Sequence, residues 1–457
     1  MIRNIILISF ASLFLVFSFP NFNLSFLAFI GFILLFFAIE NKSPKEAFLI
    51  FYISGFIFYL GTLYWLYHVT VAGLIILCLY LALYFGVLGL ICFRLKAYSL
   101  RLIAIPLIWS FLEYIQSHLP IMGFGWLSLG YSQYKNLPLI QIADFSGVYG
   151  VSFTVMMVNV AIYRTFKKSF REVIITALVL IAVFGYGIMR VNERGYGNGV
   201  RVSVIQGNIP QELKWDPKAQ DMIIEKYIAL TKMAALESAD LIVWPETSFP
   251  GFFEIDEDMT EKILTLVKET KIPILIGVNT EKDEKYFNSA ALISPEGSMT
   301  NKYDKIHLVP FGEYVPFSNK FPAFHKLILG ELGEFTPGKD FKAFSLQPSA
   351  FSQTVKFSVL ICFEDIFPEI SRKFVKNGAK FLIVITNDAW YGKSGAAYQH
   401  AANSVFRAIE NRVPVVRCAN TGYSCFIDSR GGIYDSVSEK NSLLFVTGYK
   451  TAVVNAK

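Results

Sequence analysis

From residue 4 to residue 190 the chain is a succession of long apolar runs separated by short polar clusters: 4–20, 24–40, 46–67, 71–93, 101–118, 147–163 and 172–190. A helix needs roughly 20 apolar residues to cross the hydrocarbon of a bilayer, so these runs predict about seven membrane-spanning helices. The first run follows Arg3, as the core of a secretory signal would, but it has no small-residue cleavage site and a second run follows at once. It is read as a retained helix. The stretch Leu119–Asp144 carries aromatics and glycines without a helical period, which predicts a loop dipping into the membrane interface.

From about Arg201 the texture changes to short β-branched runs, polar helical periods and turn residues. Candidate strands are 201–206, 241–244, 274–278, 290–294, 358–361, 381–386, 414–418 and 425–428, and helical periods cover 218–237, 259–269, 367–377 and 396–411. Such alternation predicts an α/β or α+β sandwich, and about 250 residues suffice for a core of its own. The expected organisation is a multi-span α-helical membrane domain over 1–195 followed by a catalytic domain over 196–457.

Composition supports that division. The chain is 54% hydrophobic and only 17% charged, with 43 Phe and a mean hydropathy of +0.45, which excludes an ordinary soluble domain. A net charge of +6 would elsewhere raise nucleic-acid binding, but here the basic residues follow the membrane pattern and no nucleic-acid partner is expected. Arg3, Lys42 and Lys45, then Arg94, Lys96 and Arg101, then Arg164, Lys167, Lys168 and Arg171 all fall on one side if the helices alternate. The intervening loops at 20–23 and 68–70 have no Lys or Arg, and the loop 119–146 has only Lys135. The positive-inside rule therefore places the N terminus in the cytoplasm and everything after Arg190 outside it, in the periplasm of a bacterium.

Five cysteines and five histidines show no metal-ligand spacing, so neither a metal nor a cofactor is expected. Cys418 and Cys425 flank a turn signal and could face each other across a hairpin, with unbonded thiols the favoured reading; Cys78 and Cys92 share one apolar run and read as packing residues.

Candidate chemistry lies in three segments that each set a reactive side chain just after an apolar strand, where sheet proteins commonly place active sites. LIVWPETSFP offers Glu246; YDKIHLVPFGEYVPF offers Lys305 and Glu313; VLICFED offers Cys362, followed by Phe363, Glu364 and Asp365. Thiolate is the nucleophilic form of cysteine, and a carboxylate that takes its proton, with a lysine to stabilise the oxyanion formed on attack, supplies what acyl transfer needs. Taken singly, a strand-ending Cys reads as core, and a lone loop Glu or Lys as a solvated charge.

Together with IVITNDAWYGK at 383–393, these segments resemble the nitrilase or carbon-nitrogen hydrolase superfamily, over about Arg201 to Asp428. The apolar half narrows the likeness to the apolipoprotein N-acyltransferases, as do GFGWLSLGYSQ at 123–133, QGNIPQELKW at 206–215, HLVPFGEYVPF at 307–317 and TNDAWYGKS at 386–394. The resemblance implies a nitrilase-like αββα sandwich with Glu246 as general base, Lys305 as oxyanion-stabilising cation and Cys362 as acyl-accepting nucleophile. It implies supporting roles for Glu313, Glu364 and Phe363, and substrate-binding roles for Trp215, Trp390 and Asn387. The implied reaction moves the sn-1 acyl chain of a phospholipid, phosphatidylethanolamine by family habit, onto Cys362. From there the acyl group passes to the α-amine of a diacylated apolipoprotein, and a monomer is expected.

Family members commonly have Tyr where this chain has Phe363, which keeps the ring and the backbone N–H without the hydroxyl. They also usually continue into a further transmembrane helix, whereas no apolar span follows the sandwich up to Lys457, so the C terminus is expected outside the cytoplasm. A phospholipid chain buries about 0.8 kcal/mol per CH₂ and does not readily leave the bilayer, so the site must come to the membrane. Loops 249–253 and 311–324 carry aromatics suited either to a membrane-facing lid or to packing on the sandwich. Two further readings share these features: a membrane-tethered amidase discharging to water, and a transporter or scaffold with an inactive nitrilase-like domain. For the latter, Glu113 is the main intramembrane charge.

Overall fold

A computed structural model describes residues 2–95, 101–193, 199–316, 334–349 and 353–456. Lys96, residues 194–198 and residues 317–324 of the second aromatic loop lie outside that set. The chain forms two compact units: Met1–Glu193 with Ser394–Glu410, and Arg194–Lys393 with Asn411–Lys457. The helix Ala396–Asn411, placed by sequence in the second half, thus counts almost wholly with the first unit.

Helices occupy the seven predicted apolar runs, but among the described residues four are long and apolar enough to cross a membrane: Pro44–Thr62, Val71–Arg94, Ala143–Thr165 and Arg171–Val191. Ile2–Ser18 has 17 residues. The second run is broken at Ile30 into Ser25–Phe29, a tight 3₁₀ segment, and the helix Gly31–Ala38. The break is held from the helix Ala143–Thr165, where Asn159 accepts a hydrogen bond from Phe32 N at 3.0 Å and donates to Ala28 O at 2.8 Å. Irregular backbone at membrane depth needs such a neighbour, because no water can satisfy it. Pro44–Thr62 starts at a Ser43–Glu46 capping box with Pro44 in its first turn, where the missing N–H costs nothing. Ile174, Leu178, Ile181 and Ile188 of Arg171–Val191 are all more than half exposed, an apolar face that suits lipid rather than water.

Within Leu119–Asp144 the aromatic middle is packed into the helical unit, with Trp126, Leu127, Leu129, Tyr131 and Tyr134 buried, while Leu119, Ile121 and Met122 at its start stay exposed. Glu113 is committed within it, its Oε1 accepting from Leu129 N at 2.6 Å. Gln399, from the returning helix, accepts from the indole N–H of both Trp65 and Trp126 and donates to the carbonyls of Pro20 and Thr62, each at 3.0 Å.

Among the described residues the second unit has twelve strands: β1 (Val200–Gln206), β2 (Leu241–Val243), β3 (Ile274–Lys282), β4 (Lys285–Ile293), β5 (Met299–Asp304), β6 (Phe344–Leu346), β7 (Val355–Ile361), β8 (Phe381–Thr386), β9 (Val415–Ala419), β10 (Cys425–Ile427), β11 (Ile433–Ser436) and β12 (Gly448–Val454). They form two six-stranded sheets, ordered β12-β1-β2-β3-β4-β5 and β11-β10-β9-β8-β7-β6. In each, three strands run parallel (β1-β2-β3 and β7-β8-β9) and the flanking ones antiparallel. The sheets meet face to face, and the buried Cys418 Sγ lies 3.3 Å from the carbonyls of both Ile205 and Val243; it and Cys425 are separate thiols. Helices Gln220–Ala235 and Glu257–Thr270 cover the first sheet through Ile223, Tyr227, Ile263 and Val267, which pack with Trp244 and Ile276.

Phe249 and Phe253 belong to that core, with rings 5.4 Å apart and edge to face. The first aromatic loop is therefore packing, not an exposed lid. In the second loop Phe311 is 57% exposed.

Candidate active site

Three of the reactive segments leave the C-terminal ends of parallel strands, where chain reversals leave a crevice: Glu246 follows β2, Cys362 follows β7 and Asn387 follows β8. Lys305 follows β5, which is antiparallel to β4, itself antiparallel to β3. Two reversals bring the end of β5 back beside the ends of β2 and β3.

Cys362 turns sharply off its strand with φ +53°, a left-handed backbone that costs a non-glycine residue about 1–3 kcal/mol and is often kept where it aims a functional group. Glu364 fixes the turn. Its buried carboxylate accepts from Ile361 N at 2.8 Å on one oxygen and from Tyr303 OH, Ile306 N and His307 N at 2.7, 2.8 and 3.1 Å on the other. One carboxylate thus ties the backbone before the cysteine to the backbone just after Lys305.

Lys305, 1% exposed, has its ammonium 2.9 Å from Glu313 Oε2 and 3.7 Å from Glu246 Oε1. Asn288 on β4 joins the two carboxylates, its Nδ2 donating to Glu246 Oε1 at 2.9 Å and to Glu313 Oε1 at 2.8 Å. Val309 N holds Glu313 Oε2 at 2.8 Å, and Asn387 N holds Glu246 Oε2 at 2.9 Å. Gly277 lets the Glu246 turn approach β3: a Cβ there would lie 2.4 Å from Pro245 O and 2.6 Å from Glu246 Cα.

The electrostatics follow from this packing. Burial, aided by Glu246 and Asp388, pushes the Cys362 thiol well above its ordinary range; Lys305 and a hydrogen bond with Thr386 oppose the shift without cancelling it. Cys362 therefore rests as a thiol and needs a base when it attacks. Burial alone would pull the Lys305 ammonium down, but Glu313, Glu246 and Cys362 outweigh it and hold the charge well above the usual lysine range. A buried cation beside a thiol and a carboxylate can steady an oxyanion while the carboxylate carries a proton. Among the described residues no group of three or more His, Cys, Asp or Glu could hold a metal.

The structure thus brings together Glu246, Lys305, Glu313, Cys362, Glu364 and Asn387. Asn387 is 3% exposed, its side chain donating to Gln211 Oε1 at 2.8 Å and accepting from Asn420 at 3.0 Å. Phe363 is buried against Phe367. Trp215 and Trp390 are 53% and 50% exposed, open to a ligand rather than part of the core. Sequence reasoning missed Asn288; its signal was a polar residue inside an apolar strand, a position where Asn is depleted. It also missed Arg417, wholly buried and paired with Asp365 at 3.1 Å and Asp388 at 3.2 Å, and Lys214, which lies within a quoted motif.

Fold and site together define a carbon-nitrogen hydrolase domain, and residues 201–447 match the Carbon-nitrogen hydrolase family model. A solved carbon-nitrogen hydrolase from Helicobacter pylori G27 aligns with a TM-score of 0.43 and 16% identity, over 57% of this chain and 90% of that one. Residues 11–161 match the model of the apolipoprotein N-acyltransferase N-terminal domain. The apolipoprotein N-acyltransferase of Geobacter metallireducens is 40% identical across 94% of this chain and 86% of its own length. That of Chlorobaculum tepidum is 32% identical across 84% of this chain and 78% of its own. The chain belongs to the apolipoprotein N-acyltransferase family.

Proposed function

We propose that this protein N-acylates lipoproteins by a two-step transfer through Cys362. In the first step Glu246 takes the thiol proton as Sγ attacks the sn-1 ester carbonyl of a phospholipid, phosphatidylethanolamine being the expected donor. The Lys305 ammonium and the N–H of Phe363 stabilise the oxyanion. Collapse breaks the ester C–O bond, Glu246 returns its proton to the departing glycerol oxygen, and the acyl group stays on Cys362 as a thioester. In the second step the α-amine of a diacylglyceryl-cysteine attacks that thioester, Glu246 removes the amine proton, and Cys362 leaves and is reprotonated. The catalytic domain faces the periplasm in this reading, supported by the one-sided placing of Arg and Lys between the apolar runs, and the protein acts as a monomer.

The carrying observation is the buried grouping of Lys305 with Glu246 and Glu313 beside a strained Cys362, in a chain whose other unit has helices of membrane-crossing length. Purified protein given phospholipid with a labelled sn-1 chain should acquire a hydroxylamine-sensitive adduct on Cys362, absent in Cys362→Ser. A diacylated lipopeptide with a free amine should then take up the label. Equal labelling of Cys362→Ser sinks the mechanism, and discharge only to free fatty acid makes the protein an amidase-like hydrolase.

A further inference from the structure

A second lysine lies at the site with no part in the chemistry above. Lys214 is 4% exposed, and its ammonium donates to Glu246 O at 3.1 Å and Thr247 Oγ1 at 2.9 Å. Thr247 has φ +45°, which for a β-branched residue is a true outlier that the surroundings must hold in place. Gly277 admits this turn on one side, as Ser248 N and Phe249 N both donate to Gly277 O, and Lys214 grips it from another. The lysine's own loop is anchored in turn. Asn420 accepts from Ile209 N and donates to Ile209 O, and Asn387, whose N–H holds the Glu246 carboxylate, donates to Gln211. A buried ammonium is costly, and two neutral oxygens at a strained turn do not by themselves demand one.

We propose that Lys214 is a positioning residue for acyl transfer, its ammonium clamping the Glu246–Thr247 turn so that the Glu246 carboxylate is held towards Cys362. This rests on the reading of Cys362 as acyl carrier and Glu246 as its base. The titratable groups acting on the ammonium are Glu246, after β2, and Cys362, after β7; burial outweighs their attraction and brings the lysine down to about 8. The clamp is therefore charged at neutral pH and loses its charge as pH rises through that value.

Thioester formation on Cys362 is measured in single turnover with sn-1-labelled phospholipid for the parent, Lys214→Met and Lys214→Gln, between pH 6.5 and 9.5. The parent should exceed Lys214→Met about 30- to 100-fold at neutral pH, the usual cost of a slightly misplaced reacting group, with the lipid concentration for half-saturation unchanged. The ratio of the two rates cancels pH effects common to both proteins, and it should collapse above about pH 8. Lys214→Gln keeps two donors without charge; its ratio should be smaller and collapse in the same range, and it serves if the methionine variant does not fold. Equal rates, or a ratio constant with pH, overturn the proposal. If the parent itself forms no adduct on Cys362, the acyl-carrier reading fails instead.

Discussion

Lys305→Met removes the cation shared by two buried carboxylates and the thiol. At the 3.7 Å separation of Lys305 and Glu246, unit charges attract by about 4–5 kcal/mol at an effective dielectric near ~20. An oxyanion forming on the substrate at a similar range draws comparable energy. Part of the lysine's charge is already balanced by Glu313 at 2.9 Å, so about half to most of it, roughly 2–4 kcal/mol, is gained only in the transition state. That converts to about 30- to 1,000-fold in the rate of thioester formation. The assay is a quenched single turnover with sn-1-labelled phospholipid, scored as hydroxylamine-sensitive label on Cys362, alongside a thermal melt to show that the variant is folded. Lys305→Arg should recover little, because the planar fork cannot replace a compact ammonium between two carboxylates. A folded Lys305→Met that acylates Cys362 within about threefold of the parent rate would refute the electrostatic argument.

Other outcomes follow from the same geometry. Because the Cys362 thiol is raised well above its ordinary range, its thiolate fraction should grow about tenfold per pH unit from neutrality upward; iodoacetamide alkylation of Cys362, followed by peptide mass spectrometry, should rise through pH 9 without a plateau, and a plateau below pH 7 would contradict a resting thiol. Arg417→Met leaves Asp365 and Asp388 buried without their cation and should cost about 3–5 kcal/mol, seen as a lower melting temperature in detergent; an unchanged melt would mean that the pair is not structural. Gln399→Leu removes the bonds that Gln399 makes to two indole N–H groups and two carbonyls in the helical unit. At about 1–3 kcal/mol for a buried polar group left unsatisfied it should lower the melting temperature of detergent-solubilised protein, and an unchanged melt would discount these bonds.

Eight strands were legible because each carries a short apolar run, and the four that were not are β5, β6, β11 and β12, the outer strands of the two sheets. An edge strand pairs on one side only and is half wetted, so its sequence need not alternate or be apolar; MTNKYD and GYKTAVV are no more strand-like than many loops. The apolar runs were likewise legible as helices. The break at Ile30 was not, since it depends on Asn159 lying 127 positions from Phe32.

For the site, the sequence by itself offered the candidate groups, Glu246 and Cys362 after legible strands and Lys305 within YDKIHL, in motifs that reveal the family. Composition and run length determined that the first unit carries helices long and apolar enough to cross a membrane. Only the tertiary structure decided which groups serve them. Asn288 bridges two carboxylates because β4 runs beside both β3 and β5, and Glu364 holds Cys362 and the Lys305 loop together because the sheets stack face to face. Phe249 and Phe253 became core rather than lid, and Lys214 reached the Glu246 turn. The physical reason is common to all: strength and direction in a buried hydrogen bond or ion pair depend on distances of about 3 Å, and residues far apart in sequence acquire such distances only when the chain is folded.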